Sequence, residues 1–204
     1  MPREESKRRF RDRKPLSFFE GWLHLMDERT ALAEIRRPTS VSLVAVPSVD
    51  QGYLVPFIPT SLHTAKKMLE LAKVGPQDVV YDLGCGDGRL LVLAAESFEA
   101  KRAVGYEIRR DVYKTALKEI QARNLEERVT IVNGDLFDAD LSEATVITLY
   151  LSYGVNKALE PKLRREAGPG TRVVSHDFEI PAWKAKRKVR SHGDTIYLYQ
   201  NSTE

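Results

Sequence analysis

The sequence has almost no cysteine and no long apolar run, and each shortage excludes a class of protein. A single cysteine among 204 residues excludes a disulfide within the chain and a zinc site built from cysteines. So few thiols fit a reducing compartment, and we expect a cytoplasmic location. No apolar stretch approaches the roughly 20 residues that span a bilayer, and the N-terminal segment lacks a signal peptide's apolar region. We therefore expect neither a secreted scaffold nor a membrane partner.

The charge is nearly balanced in total but uneven along the chain. A net charge of +3 does not by itself imply a nucleic-acid partner. Seven of the first 14 residues are basic and three are acidic, and a second basic run covers Lys184–Arg190. Each run has two interpretations, a solvated charged surface or a contact with nucleic acid.

From residue 60 onwards, helical patterns alternate with short apolar strand patterns. The helical patterns cover Thr60–Ala72, Gly88–Ser97, Arg110–Asn124 and Asn156–Glu166. The strand patterns cover Asp78–Leu83, Ala103–Ile108, Val129–Val132, Ala144–Leu151 and Thr171–His176, and a hairpin pair covers Lys186–Arg190 and Thr195–Tyr199. This alternation predicts an α/β fold, a seven-stranded, mostly parallel sheet with helices on both faces and an antiparallel C-terminal hairpin.

The most informative stretch, Val79–Leu90, is an apolar strand ending in an acid, followed by three glycines at alternate positions and a helix. Ligands of open α/β sheets bind at the carboxyl ends of strands, where glycines let them approach the backbone. A dinucleotide-binding loop would have its third glycine where Arg89 stands, and no Lys-Ser/Thr pair follows as in a P-loop. The Asp82 carboxylate would repel a pyrophosphate and suits an ammonium or sulfonium. The loop therefore favours S-adenosylmethionine over NAD.

Two further acids end the next two strands. Glu107 stands where an acid accepts both ribose hydroxyls, and Asp135 is placed to accept from the adenine amino group, with Leu136 or Phe137 packing on the ring. Phe57, in the segment before the first helix, is predicted to cover the methionine end. The complete predicted cofactor set is Phe57, Thr60, Asp82, Gly84, Cys85, Gly86, Gly88, Glu107, Gly134, Asp135 and Leu136.

These motifs resemble those of the seven-strand, class I methyltransferases, which have a Rossmann-like fold. The similarity extends over about Pro56 to Gln200, where the chain resembles small archaeal protein-lysine methyltransferases that act on chromatin proteins. It is also similar to the mitochondrial enzymes that methylate a lysine of the ATP synthase c subunit. The narrower match lies in Pro56–Thr60, Asn133–Asp135, Pro161–Leu163, Gly170–His176 and Ile180–Trp183.

The resemblance implies an S-adenosylmethionine-dependent protein-lysine N-methyltransferase with a protein partner. It does not cover residues 1–50, which we expect to form a basic tail and a helical extension, with residues 51–204 as the methyltransferase domain. Thr148–Gly154 lacks the Asn/Asp-Pro-Pro-Tyr signature of enzymes that methylate amide or base nitrogens. Two other functions stay open at this point: an RNA or small-molecule methyltransferase on the same fold, and a non-catalytic cofactor-binding protein.

Methyl transfer to lysine requires a neutral, desolvated amine held in line with the sulfonium. We predict the amine slot at the end of the fourth strand, where Tyr150 and Tyr153 offer aromatic walls and Asn156 a polar acceptor. Thr60 completes the predicted catalytic set. The alternative interpretations are strand core for Tyr150 and a helix N-cap for Thr60.

No metal site is predicted from the sequence. The transfer needs no metal, and the four histidines show no recognisable ligand spacing. They are His24, His63, His176 and His192. His176 fits equally a satisfied structural histidine and a catalytic one.

Overall fold

The computed structural model describes residues 57–202. The basic tail, the helical extension and the proposed domain boundary at residue 50 lie outside this range and stay predictions. The helices are α1 (Leu62–Ala72), α2 (Arg89–Glu96), α3 (Arg110–Ala122) and α4 (Tyr153–Glu166), with a short 3-10 helix at Leu136–Asp138. The strands are β1 (Val79–Leu83), β2 (Arg102–Glu107), β3 (Val129–Asn133), β4 (Val146–Leu149), β5 (Arg172–His176), β6 (Arg187–Ser191) and β7 (Asp194–Gln200).

The seven strands form one sheet in the order β3-β2-β1-β4-β5-β7-β6. Strands β1 to β5 are parallel, and β7 and β6 add antiparallel pairs at one edge. The strand order reverses between β1 and β4, which is where such sheets bind ligands. The predicted mostly parallel sheet with its antiparallel C-terminal hairpin is confirmed.

Both faces of the sheet are covered by helices. Successive strand residues point to opposite faces, so Val80 packs in the core under α1, α2 and α3, whereas Tyr81 packs on the side of α4. Both side chains are buried, at 0% and 6% exposure. The central strands β1 and β4 are buried on both faces, and their largely apolar sequences are typical of strands covered on both sides.

Two helix starts differ from the predicted ones because serine caps compete with neighbouring residues. α1 begins at Leu62, since Ser61 Oγ accepts the backbone N–H of Thr64 at 3.0 Å; the N-cap interpretation of Thr60 is therefore wrong. α4 begins at Tyr153 and not at Asn156, since Ser152 accepts from Val155 N–H at 3.3 Å. The same turn ends β4 at Leu149, which places Tyr150 outside the strand.

The basic run near the C-terminus lies largely on β6, the outer strand of the sheet. Charged side chains on an edge strand block pairing with another chain, and Arg187, Lys188 and Arg190 are exposed. Lys188 Nζ also lies 4.9 Å from the centre of the Tyr197 ring. The run thus has a structural explanation, while nucleic-acid contact stays a prediction. None of the helices between residues 57 and 202 combines the length and apolar content that a bilayer crossing requires.

Gly105, in β2, has no room for a side chain. A Cβ there would stand 2.5 Å from Leu91 Cδ1 and 2.8 Å from Cys85 Cβ. We expect Gly105→Ala to lower the free energy of unfolding by about 1–3 kcal/mol, because overpacking displaces core groups. Urea denaturation measures the change. Gly75→Ala, whose Cβ would meet nothing within 4 Å, is the control, and equal midpoints for the two variants would contradict the packing.

Candidate functional site

The glycine loop joins β1 to α2 through an unusual backbone conformation. Gly84, Gly86 and Gly88 have φ angles of 84°, 57° and 79°, a region that disfavours residues with a Cβ. A Cβ on Gly84 would come within 2.8 Å of Leu151, and one on Gly86 within 2.3 Å of the Phe57 ring. Gly84 and Gly86 therefore have to be glycines, because a side chain at either position would collide with Leu151 or Phe57.

The carboxyl ends of β1, β2 and β3 carry the three predicted acids. Glu107 accepts the Gly86 backbone N–H through Oε2 at 3.0 Å and the Arg109 N–H through Oε1 at 2.8 Å. Asp135 accepts the Phe137 N–H through Oδ1 at 2.9 Å, which starts the 3-10 helix. Each carboxylate oxygen has a second lone pair available for a ligand hydroxyl or amine.

Asp82 is the most perturbed of the three. Burial raises its pKa to about 7, and the charges of Asp87 and Glu107 add to the rise, while a hydrogen bond from Thr148 opposes it. Thr148 Oγ1 donates to Asp82 Oδ1 at 2.7 Å. A cation bound here would offset the cost of burying the ionised carboxylate. Three carboxylates beside a glycine cradle fit the hydroxyls, the amines and the sulfonium of S-adenosylmethionine.

The remaining residues of the predicted cofactor set lie around this cradle. The Cys85 side chain is 5% exposed, and burial raises the pKa of its thiol, with Asp82 and Glu107 adding to the rise. Gly134 and Leu136 are half-buried beside Asp135. A Cβ on Gly134 would meet only an ordinary contact at 3.5 Å, so space alone does not require glycine there.

The segment before α1 is attached at two points. Arg89, which forms an ion pair with Asp87, donates through Nη1 to the Thr60 carbonyl at 2.9 Å. The Thr60 hydroxyl lies 3.3 Å from Nδ1 of His176 at the end of β5. Thr60, predicted both to contact the cofactor and to act in transfer, therefore connects the glycine loop to the end of β5.

An aromatic stack lies at the ends of β4 and β5. The Tyr150 ring stacks on His176 with the ring centres 3.8 Å apart, and Phe178 follows at 6.5 Å from Tyr150. Burial raises the pKa of Tyr150, and the charges of Asp177 and Asp194 add to the rise. Tyr153 stands at the start of α4 and is 52% exposed. The stack offers an apolar surface that can desolvate an amine, and the role of Tyr153 in the slot stays a prediction.

Asn156 lies behind this stack, fully buried at 0% exposure. Its Nδ2 donates to Ser175 Oγ at 3.2 Å and to the Phe178 carbonyl at 2.9 Å. Its Oδ1 has no hydrogen-bond partner among the described residues. Asn156 thus holds the segment that carries Phe178, and its action as an acceptor for the substrate stays a prediction.

The site also contains His176 and Phe178, which the predicted set omitted. In the sheet, Leu149 of β4 is in register with Ser175 of β5, so the residues that follow each strand end become neighbours. A signal existed in the polar Ser175-His176 pair ending an apolar strand. It becomes informative only once β5 is placed beside β4.

Comparison with known proteins places the chain among methyltransferases. Residues 82–187 match a family model described as the ANTKMT methyltransferase domain. Over 149 residues the chain is 47% identical to a protein-lysine N-methyltransferase of Saccharolobus islandicus (strain REY15A), covering 71% of this chain and 92% of that protein. It is 29% identical over 192 residues to the adenine nucleotide translocase lysine N-methyltransferase of Mus musculus, covering 88% and 83%.

A solved structure gives a similar result. An RNA methyltransferase from Salinibacter ruber, in complex with S-adenosyl-L-homocysteine, matches with a TM-score of 0.70 and 46% identity. The match covers 72% of this chain and 95% of that one. The names of these relatives agree on methyl transfer and differ in the acceptor.

Binding of S-adenosylmethionine should depend on the ionisation of Asp82. Because the pKa of Asp82 is about 7, affinity should rise as the pH increases from 6 to 8 and then level off, since the ionised carboxylate attracts the cationic methionine end. Asp82→Asn should bind about tenfold more weakly or worse, because hydrogen bonds to charged groups contribute about 1.5–3 kcal/mol.

Isothermal titration of the wild type and Asp82→Asn over this pH range measures both effects. The matched control is Asp140→Asn, which removes a carboxylate that caps the Ser142 N–H elsewhere on the surface. Identical pH profiles for the wild type and Asp82→Asn would rule out Asp82 as the titrating group.

Proposed function

Because the chain belongs to the ANTKMT family of S-adenosylmethionine-dependent methyltransferases, we propose that its acceptor is the ε-amine of a lysine in a protein. The observation that carries this proposal is the 47% identity to a protein-lysine N-methyltransferase over 92% of that relative's length. The aromatic stack at Tyr150 agrees with it, since apolar surroundings favour the neutral amine. The proposal extends to a cytoplasmic location, which rests on the low cysteine content.

In the proposed reaction, S-adenosylmethionine supplies an activated methyl group when bound, so the protein has mainly to position and deprotonate the lysine. A lysine near pKa 10.4 in water loses its proton more readily in an apolar slot. In this proposal Tyr150 and Phe178 form the apolar walls, and the Tyr150 hydroxyl accepts a hydrogen bond from the amine. The Thr60 segment, fixed by Arg89, closes the slot on the side of the glycine loop.

The second candidate function is RNA methylation. It is favoured by the RNA methyltransferase of Salinibacter ruber, which is 46% identical to this chain, and by the exposed basic residues of β6. The absence of an Asn/Asp-Pro-Pro-Tyr signature after β4 argues against a base nitrogen as acceptor. A non-catalytic protein with a degenerate cofactor site is disfavoured, because all three strand-end acids are present.

Radiolabelled S-adenosylmethionine separates the two acceptors. The purified chain is incubated with total cell extract and the products are treated with nuclease or with protease. We expect the label to survive nuclease, to be lost with protease and to be located on lysine after acid hydrolysis. Label lost with nuclease would replace the protein acceptor with RNA, and a chain carrying Asp82→Asn is the background control.

The proposed aromatic slot can be tested through Tyr150 and Tyr153, whose hydroxyls should contribute to methyl transfer. Tyr150→Phe and Tyr153→Phe should each lower kcat by about two- to tenfold, because a neutral hydrogen bond contributes about 0.5–1.5 kcal/mol. Cofactor affinity should be unchanged. Tyr197→Phe is the control, since its hydroxyl makes no hydrogen bond to any residue between 57 and 202 and its ring packs in the core. Wild-type turnover in both slot variants would remove these hydroxyls from the mechanism.

A further inference from the structure

Three ligand-type side chains converge at the start of the C-terminal hairpin. His176 ends β5, Asp177 follows it, and Asp194 begins β7. His176 Nε2 lies 3.3 Å from Asp194 Oδ2 and 3.5 Å from Asp177 Oδ2. One donor atom from each residue falls within 4.8 Å of the other two. The group is created by the antiparallel pairing of β5 with β7, which brings together residues 17 and 18 positions apart.

The imidazole nitrogen in this group has no hydrogen-bond partner. His176 is only 3% exposed, and neither carboxylate contact gives Nε2 a hydrogen bond, so a buried polar atom is left unsatisfied. Burial lowers the pKa of His176, although Asp177 and Asp194 oppose the shift. Within residues 57–202, neither carboxylate forms an ion pair with a lysine or arginine. The carboxylates of Asp177 and Asp194 therefore face an imidazole nitrogen that has no hydrogen-bond partner, and no lysine or arginine of residues 57–202 pairs with them.

Each of the three side chains is also oriented by a separate contact. Thr60 Oγ1 lies 3.3 Å from Nδ1 of His176, the nitrogen that faces away from the carboxylates. Thr64 Oγ1 donates to Asp194 Oδ2 at 2.6 Å, and the Thr195 backbone N–H donates to Asp177 Oδ1 at 2.7 Å. Such outer contacts fix the tautomer and rotamers of metal ligands and are a regular part of metal sites.

We propose that His176, Asp177 and Asp194 bind one divalent transition-metal ion. One imidazole nitrogen and two carboxylate oxygens suit Zn²⁺ or Mn²⁺, whereas Mg²⁺ and Ca²⁺ prefer oxygen ligands alone. Water completes the coordination at this partly exposed position. The ion joins the ends of β5 and β7 and, through the His176–Thr60 contact, stabilises the segment before α1. It takes no part in methyl transfer, so the proposal stands whichever acceptor the enzyme uses.

The test titrates ZnCl₂, and separately MnCl₂, into the full chain after treatment with a chelator, with heat release as the signal. We expect one ion to bind per chain. Asp177→Asn and Asp194→Asn should weaken binding more than tenfold, because each removes a ligand charge while keeping the side-chain shape. Thr64→Val should weaken it by about 10–100-fold, the effect of losing an orienting contact.

Two controls make the assignment specific. His63 and His192 also lie close together, with ring centres 4.1 Å apart, so His63→Gln tests whether this pair holds the ion instead. Asp140→Asn tests for a general effect of lost charge. Both should bind like the wild type.

Three results would overturn the proposal. They are the absence of saturable binding of either ion, binding that survives both Asp177→Asn and Asp194→Asn, and binding abolished by His63→Gln. Circular dichroism of the chelated variants establishes that they fold. If an aspartate variant does not fold, the test is the thermal unfolding midpoint of the wild type, measured with and without saturating ion. A midpoint that rises with saturating ion supports the site, and an unchanged midpoint refutes it.

Discussion

The carboxylate of Glu107 is the contact on which the rest of the site depends. It is 7% exposed and accepts two backbone N–H groups, one from Gly86 in the glycine loop and one from Arg109 before α3. These bonds fix the loop against the end of β2, and they also place a negative charge near Asp82. Burial is the main cause of the raised pKa of Asp82, and the charge of Glu107 adds to it. One carboxylate therefore both holds the glycine loop and contributes to the negative potential around Asp82.

The sequence was sufficient for the sheet, and it located the three acids that the structure brings to neighbouring strand ends. Apolar runs ending in acids mark the strand ends directly, because the carboxyl ends of parallel strands meet at one edge. The first residues of the helices were harder to predict. Thr60 and Ser61 are both good N-cap residues, and only the structure shows that Ser61 is the cap. Tyr150 continues an apolar run, so nothing local indicates that Ser152 ends the strand before it. The grouping of His176 with Asp194 depends on strand pairing, which local periodicity does not reveal.

The cofactor side and the proposed acceptor side of the site differ in how they relate to the choice of acceptor. The glycine loop and the three acids form the predicted cofactor side, and the relatives differ in the acceptors that their names give. The proposed acceptor side is formed by the segment before α1 and by the turns after β4 and β5. A fold does not by itself fix the acceptor. Differences among such relatives are accordingly expected in these turns and not in the loop.

The lone cysteine has a consequence for the conditions under which the enzyme works. Cys85 is buried beside Asp82 and Glu107, and these surroundings raise the pKa of its thiol. Oxidants and alkylating agents react with thiolates, and a buried thiol of raised pKa supplies few. The Cys85 thiol is thus a poor nucleophile at neutral pH. We therefore expect the glycine loop to keep its shape when the redox state of the surroundings changes, even though a cysteine stands within it.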